Sequence, residues 1–193
     1  MLRENARMEK WNGMLINFEE NFNDNFSKIK SRARKGIPDC YRGVVWQKFA
    51  EIAKNKNDPN LKNEYKTLLK DETVEQSTES VILRDIDRTF PKNAFFKDKY
   101  GLGQRILFAC LKAYSKFNKE IGYVQGMGFL CGVFLTYMDE ESAFWMLHSL
   151  MDNQKYNLKG LYALNFPDLK VTFYKFLSLL KKHLNKVYLH LVI

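Results

Sequence analysis

The chain has 193 residues, with 31 Lys and Arg against 22 Asp and Glu, for a formal charge of +9. Its 46% hydrophobic and 27% charged residues, with only four prolines, exclude intrinsic disorder and suit a domain that buries roughly 70% of the unfolded surface. No run reaches the ~18 apolar residues a membrane span needs, and the N-terminus MLRENARMEKW lacks the apolar stretch of a signal peptide, so a soluble intracellular protein is expected.

In chain order the sequence reads as helix after helix. No stretch alternates apolar and polar residues over six or more positions with hairpin turn pairs. Lys54 to Asn63 is polar, contains Asp58-Pro59, and reads as a loop. Asp71 to Ser80, acidic and hydroxyl-rich, reads as a connection or a short exposed helix. Pro91 biases Phe90 out of the helical region, so any helix before it ends near Arg88 or Thr89. Gly101 and Gly103 mark a turn before the next helix. From Leu102, apolar residues recur at Ile106, Leu107, Cys110, Leu111, Tyr114 and Phe117 with helical spacing.

On a helical wheel through Gly122 to Gly132, continued to Tyr137, Tyr123, Met127, Leu130, Phe134 and Tyr137 share one bulky face. Gly122, Gln125, Gly128, Gly132 and Thr136 fall on the other, so a single amide stands on a strip nearly bare of side chains. Either a neighbouring helix of the same protein or an external partner accounts for that strip. Asp139 is the expected N-cap of a helix carrying Ala143, Phe144, Leu147, Leu150 and Met151. After Pro167, one further amphipathic face runs through Leu169, Phe173, Phe176, Leu177, Leu180, Leu184 and Leu191, and the uncapped end at Ile193 suits a domain that continues. The expected fold class is all-α, an irregular multi-helix lobe with no substantial β-sheet.

Cys40, Cys110 and Cys131 are well separated and never in a C-x-x-C pair, and the three histidines have no thiol or carboxylate cluster beside them, so neither disulfides nor a metal are expected. The charge sits in two places. Lys28 to Lys35 holds five basic residues in eight, and Asn153 to Ile193 holds seven lysines against Asp168. Without a zinc-finger spacing or an aromatic reader box these read as solvated helix faces suited to an acidic partner or membrane surface. A nucleic-acid binder would rest on charge alone.

Self-contained catalysis has little support. No phosphate loop, nucleophile elbow or zinc-protease helix is present, and Asp85 and Asp87, two apart, would point to different helix faces. Two features remain. Arg88 sits at a helix exit with Asp85 one turn back to orient its guanidinium, although the same spacing describes an ordinary surface ion pair worth less than ~1 kcal/mol. The other is the glycine-rich segment around Gln125.

These segments resemble a known family. Ile82-x-x-Asp85-x-x-Arg88 with Thr89-Phe90-Pro91, followed by Tyr123-x-Gln125-Gly126-Met127, is similar to the paired signature of the TBC domain, whose members are GTPase-activating proteins of Rab-type small GTPases. Lys35-Gly36-Ile37-Pro38 through Arg42 and Trp46 resembles the opening of that domain, and Asp139 to Trp145 the helix after the glutamine motif. The resemblance implies an arginine finger at Arg88 and a glutamine finger at Gln125, with Asp85 holding the first and Tyr123 anchoring the segment of the second. It implies a partner face at Thr89, Phe90, Pro91, Gly126 and Gly128, and structural roles for Gly36, Pro38, Arg42 and Trp46. The implied partner is a GTP-bound Rab, and GTP and Mg2+ belong to it, not to this chain. Location would be cytoplasmic, with recruitment to endomembranes through the Rab and a role in vesicle trafficking. The family often has Asn where this chain has Gly128. Its second helical subdomain would begin at 166–193, the catalytic part running to about 165. A non-catalytic Rab-binding scaffold on the same fold is the alternative.

Overall fold

The computed structural model describes residues 2–16, 18, 22, 24–71, 73, 75–152 and 154–192. Among them every regular element is helical. In chain order these are α1 (Leu2–Leu15), α2 (Phe26–Arg34), a 3-10 turn (Asp39–Tyr41), α3 (Arg42–Phe49), α4 (Ile52–Lys56), α5 (Glu64–Lys70), α6 (Gln76–Arg88) and α7 (Leu102–Phe117). Then follow α8 (Met127–Leu135), α9 (Glu140–Asp152), α10 (Lys159–Tyr162), α11 (Pro167–His183) and α12 (Asn185–Val192).

The central helix is α7, and its position follows from its apolar stripe. Leu107, Cys110, Leu111 and Tyr114 are fully buried, and α5, α6, α8 and α9 pack around them. α9 is buried on nearly every side, from Ser142 through Met151. Its start is fixed by Asp139, whose carboxylate accepts the Ser142 amide at 2.9 Å and the Ser142 hydroxyl at 2.6 Å, as expected of an N-cap. Phe117, Phe144, Trp145 and His148 meet edge to face where α7 and α9 cross, the packing that aromatic quadrupoles favour. A second, smaller core gathers Trp11, Phe18, Phe22, Ile29 and Val45.

Close approach sets one glycine. A Cβ built on Gly103 would land on the carbonyl oxygen of Phe95, backbone against backbone, with nothing flexible to yield. Gly103→Ala is therefore expected to destabilise the fold by about 1–3 kcal/mol, the range of overpacked cores, and to lower the thermal midpoint by several degrees in circular dichroism.

Three sequence expectations change. The stretch Lys54 to Asn63 is a loop only from Asn57, because α4 runs to Lys56. The helix through Gly122 to Gly132 does not exist as one piece. Gly122 (φ +64°) and Gly126 (φ +97°) occupy the left-handed region, which an α-helix cannot contain, so the helix starts at Met127 and Gln125 stands on a loop. The amphipathic face after Pro167 is divided at Leu184 (φ −137°, ψ 55°), just before Asn185, a residue that competes poorly for helix interiors. Of that face Leu180 is buried, while Phe173, Phe176, Leu177, Leu184 and Leu191 are exposed.

Cys110 and Cys131 are free thiols in the main core, their sulfurs 3.2 Å apart, and Cys40 is exposed. No helix among the described residues is long and apolar enough to cross a membrane.

Candidate functional site

The site is organised by one buried carboxylate. α6 ends at Arg88 because Pro91 denies it a continuation, which leaves Asp85 in the last turn facing inward, 4% exposed. Its Oδ1 accepts hydrogen bonds from Arg88, from Nε at 2.8 Å and from Nη2. Its Oδ2 accepts the Tyr123 hydroxyl at 2.5 Å and the Gly126 backbone amide at 3.2 Å. A single side chain thus ties the end of α6 to both flanks of the loop that carries Gln125.

The electrostatics follow from this bonding. Burial alone would raise the Asp85 pKa, but the hydrogen bonds from Tyr123, Arg88 and the Gly126 amide outweigh it and hold the carboxyl below its ordinary range. Burial, then the hydrogen bond to Asp85, pushes the Tyr123 phenol well above its usual value, so it remains a donor. The carboxylate of the pair is buried although the guanidinium is half-exposed, so this is more than the ordinary surface ion pair that the Asp85/Arg88 spacing also describes. Asp87, by contrast, is solvent-facing and lies 3.7 Å from Lys99.

Arg88 and Gln125 remain available. The Arg88 side chain is 53% exposed, with Nη1 unpartnered among the described residues. Gln125 is exposed, and its side chain makes no hydrogen bond among the described residues. Gly126 brings its amide to Asp85 at φ +97°, a backbone conformation costly for any other residue. No residue-type pattern announces a backbone donor, and a glycine flanking the glutamine was the one signal for it.

Two residues expected on a partner face are buried instead. Thr89, 1% exposed, donates its hydroxyl to the Asp85 carbonyl at 2.7 Å and packs beside Gly128, where an added Cβ would lie 3.1 Å from Thr89 Oγ1. Gly128 is therefore interior, as is Gly132, against which the Phe90 ring lies. Phe90 is half-buried at φ +50°, a strained value for an aromatic residue, and Pro91 is exposed. The glycine strip on α8 is thus occupied from within the chain, by the end of α6.

Residues of the opening motif form a separate cluster. Gly36 (φ +108°) presents its carbonyl to the Trp11 indole at 3.3 Å, and Pro38 is buried. Arg42 donates to Asp39 at 2.6 Å and to the Tyr137 hydroxyl at 2.7 Å, and the Tyr137 ring meets Trp46 edge-on at 4.9 Å. These contacts join α3 to the end of α8. No group of three or more potential metal ligands occurs among the described residues.

A family model described as the Rab-GTPase-TBC domain matches residues 39–193, four-fifths of the chain. The chain belongs to the TBC domain family.

Relatives agree with this placement. The chain is 34% identical over 180 residues to the human ecotropic viral integration site 5 protein homolog, covering 93% of this chain. It is 36% identical over 185 residues to the Rab GTPase-activating protein tbc-11 of Caenorhabditis elegans, covering 95%. It spans only 21% and 19% of the lengths of those two proteins. Among solved structures, the Chlamydomonas flagellar RabGAP TBC domain superposes with a TM-score of 0.71 at 24% identity, covering 97% of this chain and 62% of that one, a likeness of fold. Within this TBC chain, the Asp85 network lies wholly inside the matched residues, whereas α1 and α2 precede them.

Proposed function

We propose that this chain stimulates GTP hydrolysis by a GTP-bound Rab-family GTPase, lending Arg88 as an arginine finger and Gln125 as a glutamine finger. Hydrolysis spreads negative charge over the phosphoryl oxygens while a water must be held in line. An arginine supplied in trans offsets that charge, and a glutamine orients the water. The observation that carries the reading is the Asp85 carboxylate, which bonds Arg88 on one oxygen and both flanks of Gln125 on the other while leaving the two side chains exposed. Family membership supports it, as do the names of relatives in Caenorhabditis elegans, tbc-11 and eat-17, both described as Rab GTPase-activating proteins.

On this reading the nucleotide and its Mg2+ belong to the partner, and the chain meets membranes through the Rab. Residues up to about 165 carry the catalytic part, and 166–193 open the second helical subdomain. The test is single-turnover GTP hydrolysis across a Rab panel. At least one Rab is expected to be accelerated, and Gln125→Ala to remove most of that acceleration without changing the melting temperature. Acceleration that is the same in wild type and Gln125→Ala would overturn the glutamine assignment.

A further inference from the structure

Phe90 holds a backbone conformation that nothing local favours. A bulky residue rarely enters the left-handed region, and a proline biases its predecessor toward extended backbone. Phe90 nevertheless stands at φ +50° directly before Pro91. Strain of this kind persists only where the surroundings impose it. Here the surroundings are aromatic rings and bare backbone. The Phe90 ring meets Phe129 of α8 edge-on, with centroids 5.5 Å apart, and lies tilted by 31° against Phe96 at 6.0 Å. A Cβ built on Gly132 would come within 3.0 Å of Phe90 Cε2 and 3.1 Å of Cδ2, so the ring is seated where α8 lacks a side chain. The Phe90 carbonyl accepts the Asn93 amide at 2.9 Å and closes the turn.

Burial alone does not account for that strain. Phe96, 1% exposed, is the ring that fills the core at this point, whereas Phe90 stays half-buried. What the left-handed turn does is lead the chain out of α6 and onto α8 within two residues of Arg88. The Asp85 carboxylate ties the last turn of α6 to the loop at Tyr123 and Gly126. The Phe90 ring ties the exit from that turn to a second place, further along α8 at Gly132. One attachment leaves a pivot. Two of them, one polar and one apolar, fix both the position and the tilt of the turn that carries Arg88.

We infer that Phe90 is a positioning residue for Arg88: its ring, seated on Gly132, holds the end of α6 at the tilt from which Asp85 presents the guanidinium. The inference rests on the reading of Arg88 as a finger for a GTPase. Phe90 acts from behind that finger and contributes no group to the chemistry.

The experiment follows the Arg88 Nε–H signal by 15N NMR in the whole chain, together with single-turnover hydrolysis by a responding Rab, in Gly132→Ala and Phe90→Gly. Gly132→Ala is the decisive variant. Alanine is the better helix former, so a merely structural role for this contact leaves the melting temperature equal or higher and Arg88 undisturbed. The added methyl instead obliges the Phe90 ring to give by a few tenths of an ångström. Exchange of the Arg88 Nε–H with water is expected to quicken several-fold. The maximal rate is expected to fall by up to about 10²-fold, the cost of a misplacement near 1 Å, with the half-saturating concentration little changed. Phe90→Gly removes ring and strain together and should show both losses; if it loses native circular dichroism, Gly132→Ala decides alone. An Arg88 signal like that of wild type in the folded variants overturns the inference, whether or not any Rab responds. So does an unchanged maximal rate in them where Arg88→Ala is slow. Equal rates for wild type and Arg88→Ala overturn the finger reading instead, and the Arg88 signal then still decides whether Phe90 positions that side chain.

Discussion

Arg88→Ala is expected to lower the stimulated rate of Rab GTP hydrolysis by about 10³- to 10⁵-fold, the range an arginine supplied in trans contributes. On the proposed function the effect is one of charge, not fold. The guanidinium is half-exposed, so its ion pair with Asp85 contributes at most about 1 kcal/mol to stability, and the variant should melt within a few degrees of wild type. Arg88→Lys is the sharper comparison. An ammonium cannot reproduce the two-nitrogen contact to Asp85 Oδ1, so its direction is no longer set, and it should recover little of the rate. A Rab hydrolysis assay with equal rates for wild type and Arg88→Ala would remove Arg88 from the mechanism.

The second large effect belongs to Asp85. Asp85→Ala strips acceptors from the Tyr123 hydroxyl and the Gly126 amide, and each group left unpaired costs about 1–3 kcal/mol. A total loss of about 2–6 kcal/mol, read by urea denaturation, is expected together with loss of stimulation, because the segments of both proposed fingers are released at once. The pH dependence has a definite sign. The folded-state pKa of Asp85 is depressed, so its contribution is fully present above the ordinary carboxylate value near 4 and is lost as pH falls through the lower folded value. The stability gap between wild type and Asp85→Asn should therefore be widest at neutral pH and close below about pH 4. A gap that is constant from pH 7 to pH 3 would contradict a charged Asp85.

Much of this arrangement could be read from residues alone, and the exceptions have physical causes. The spacing of Ile106, Leu107, Cys110, Leu111 and Tyr114 fixed α7 because a 3.6-residue stripe has one way to be buried. Pro91 stopped α6 and Asp139 started α9 through local sterics and hydrogen bonding that need no tertiary context. Gln125 was misplaced onto a helix because a wheel assumes right-handed backbone, and glycine is the residue that can leave it. The burial of Asp85 was invisible for a different reason. An acid three residues before an arginine looks the same on a solvated face and in a buried hub, and only the loop folding back from 123–126 distinguishes them. The family signature supplied the choice of Arg88 over the nearby Arg84, which spacing could not make.

The contact between the end of α6 and α8 has a thermodynamic consequence. Thr89 fits against Gly128 and the Phe90 ring against Gly132, so two stretches nearly forty residues apart are clasped before any encounter. If Arg88 and Gln125 act as proposed, the conformational entropy of aligning them is lost once, during folding, and need not be lost again with each GTPase that arrives. On the proposed function, preorganisation of that kind favours rapid turnover over tight capture, since little of the association energy is diverted into ordering this chain.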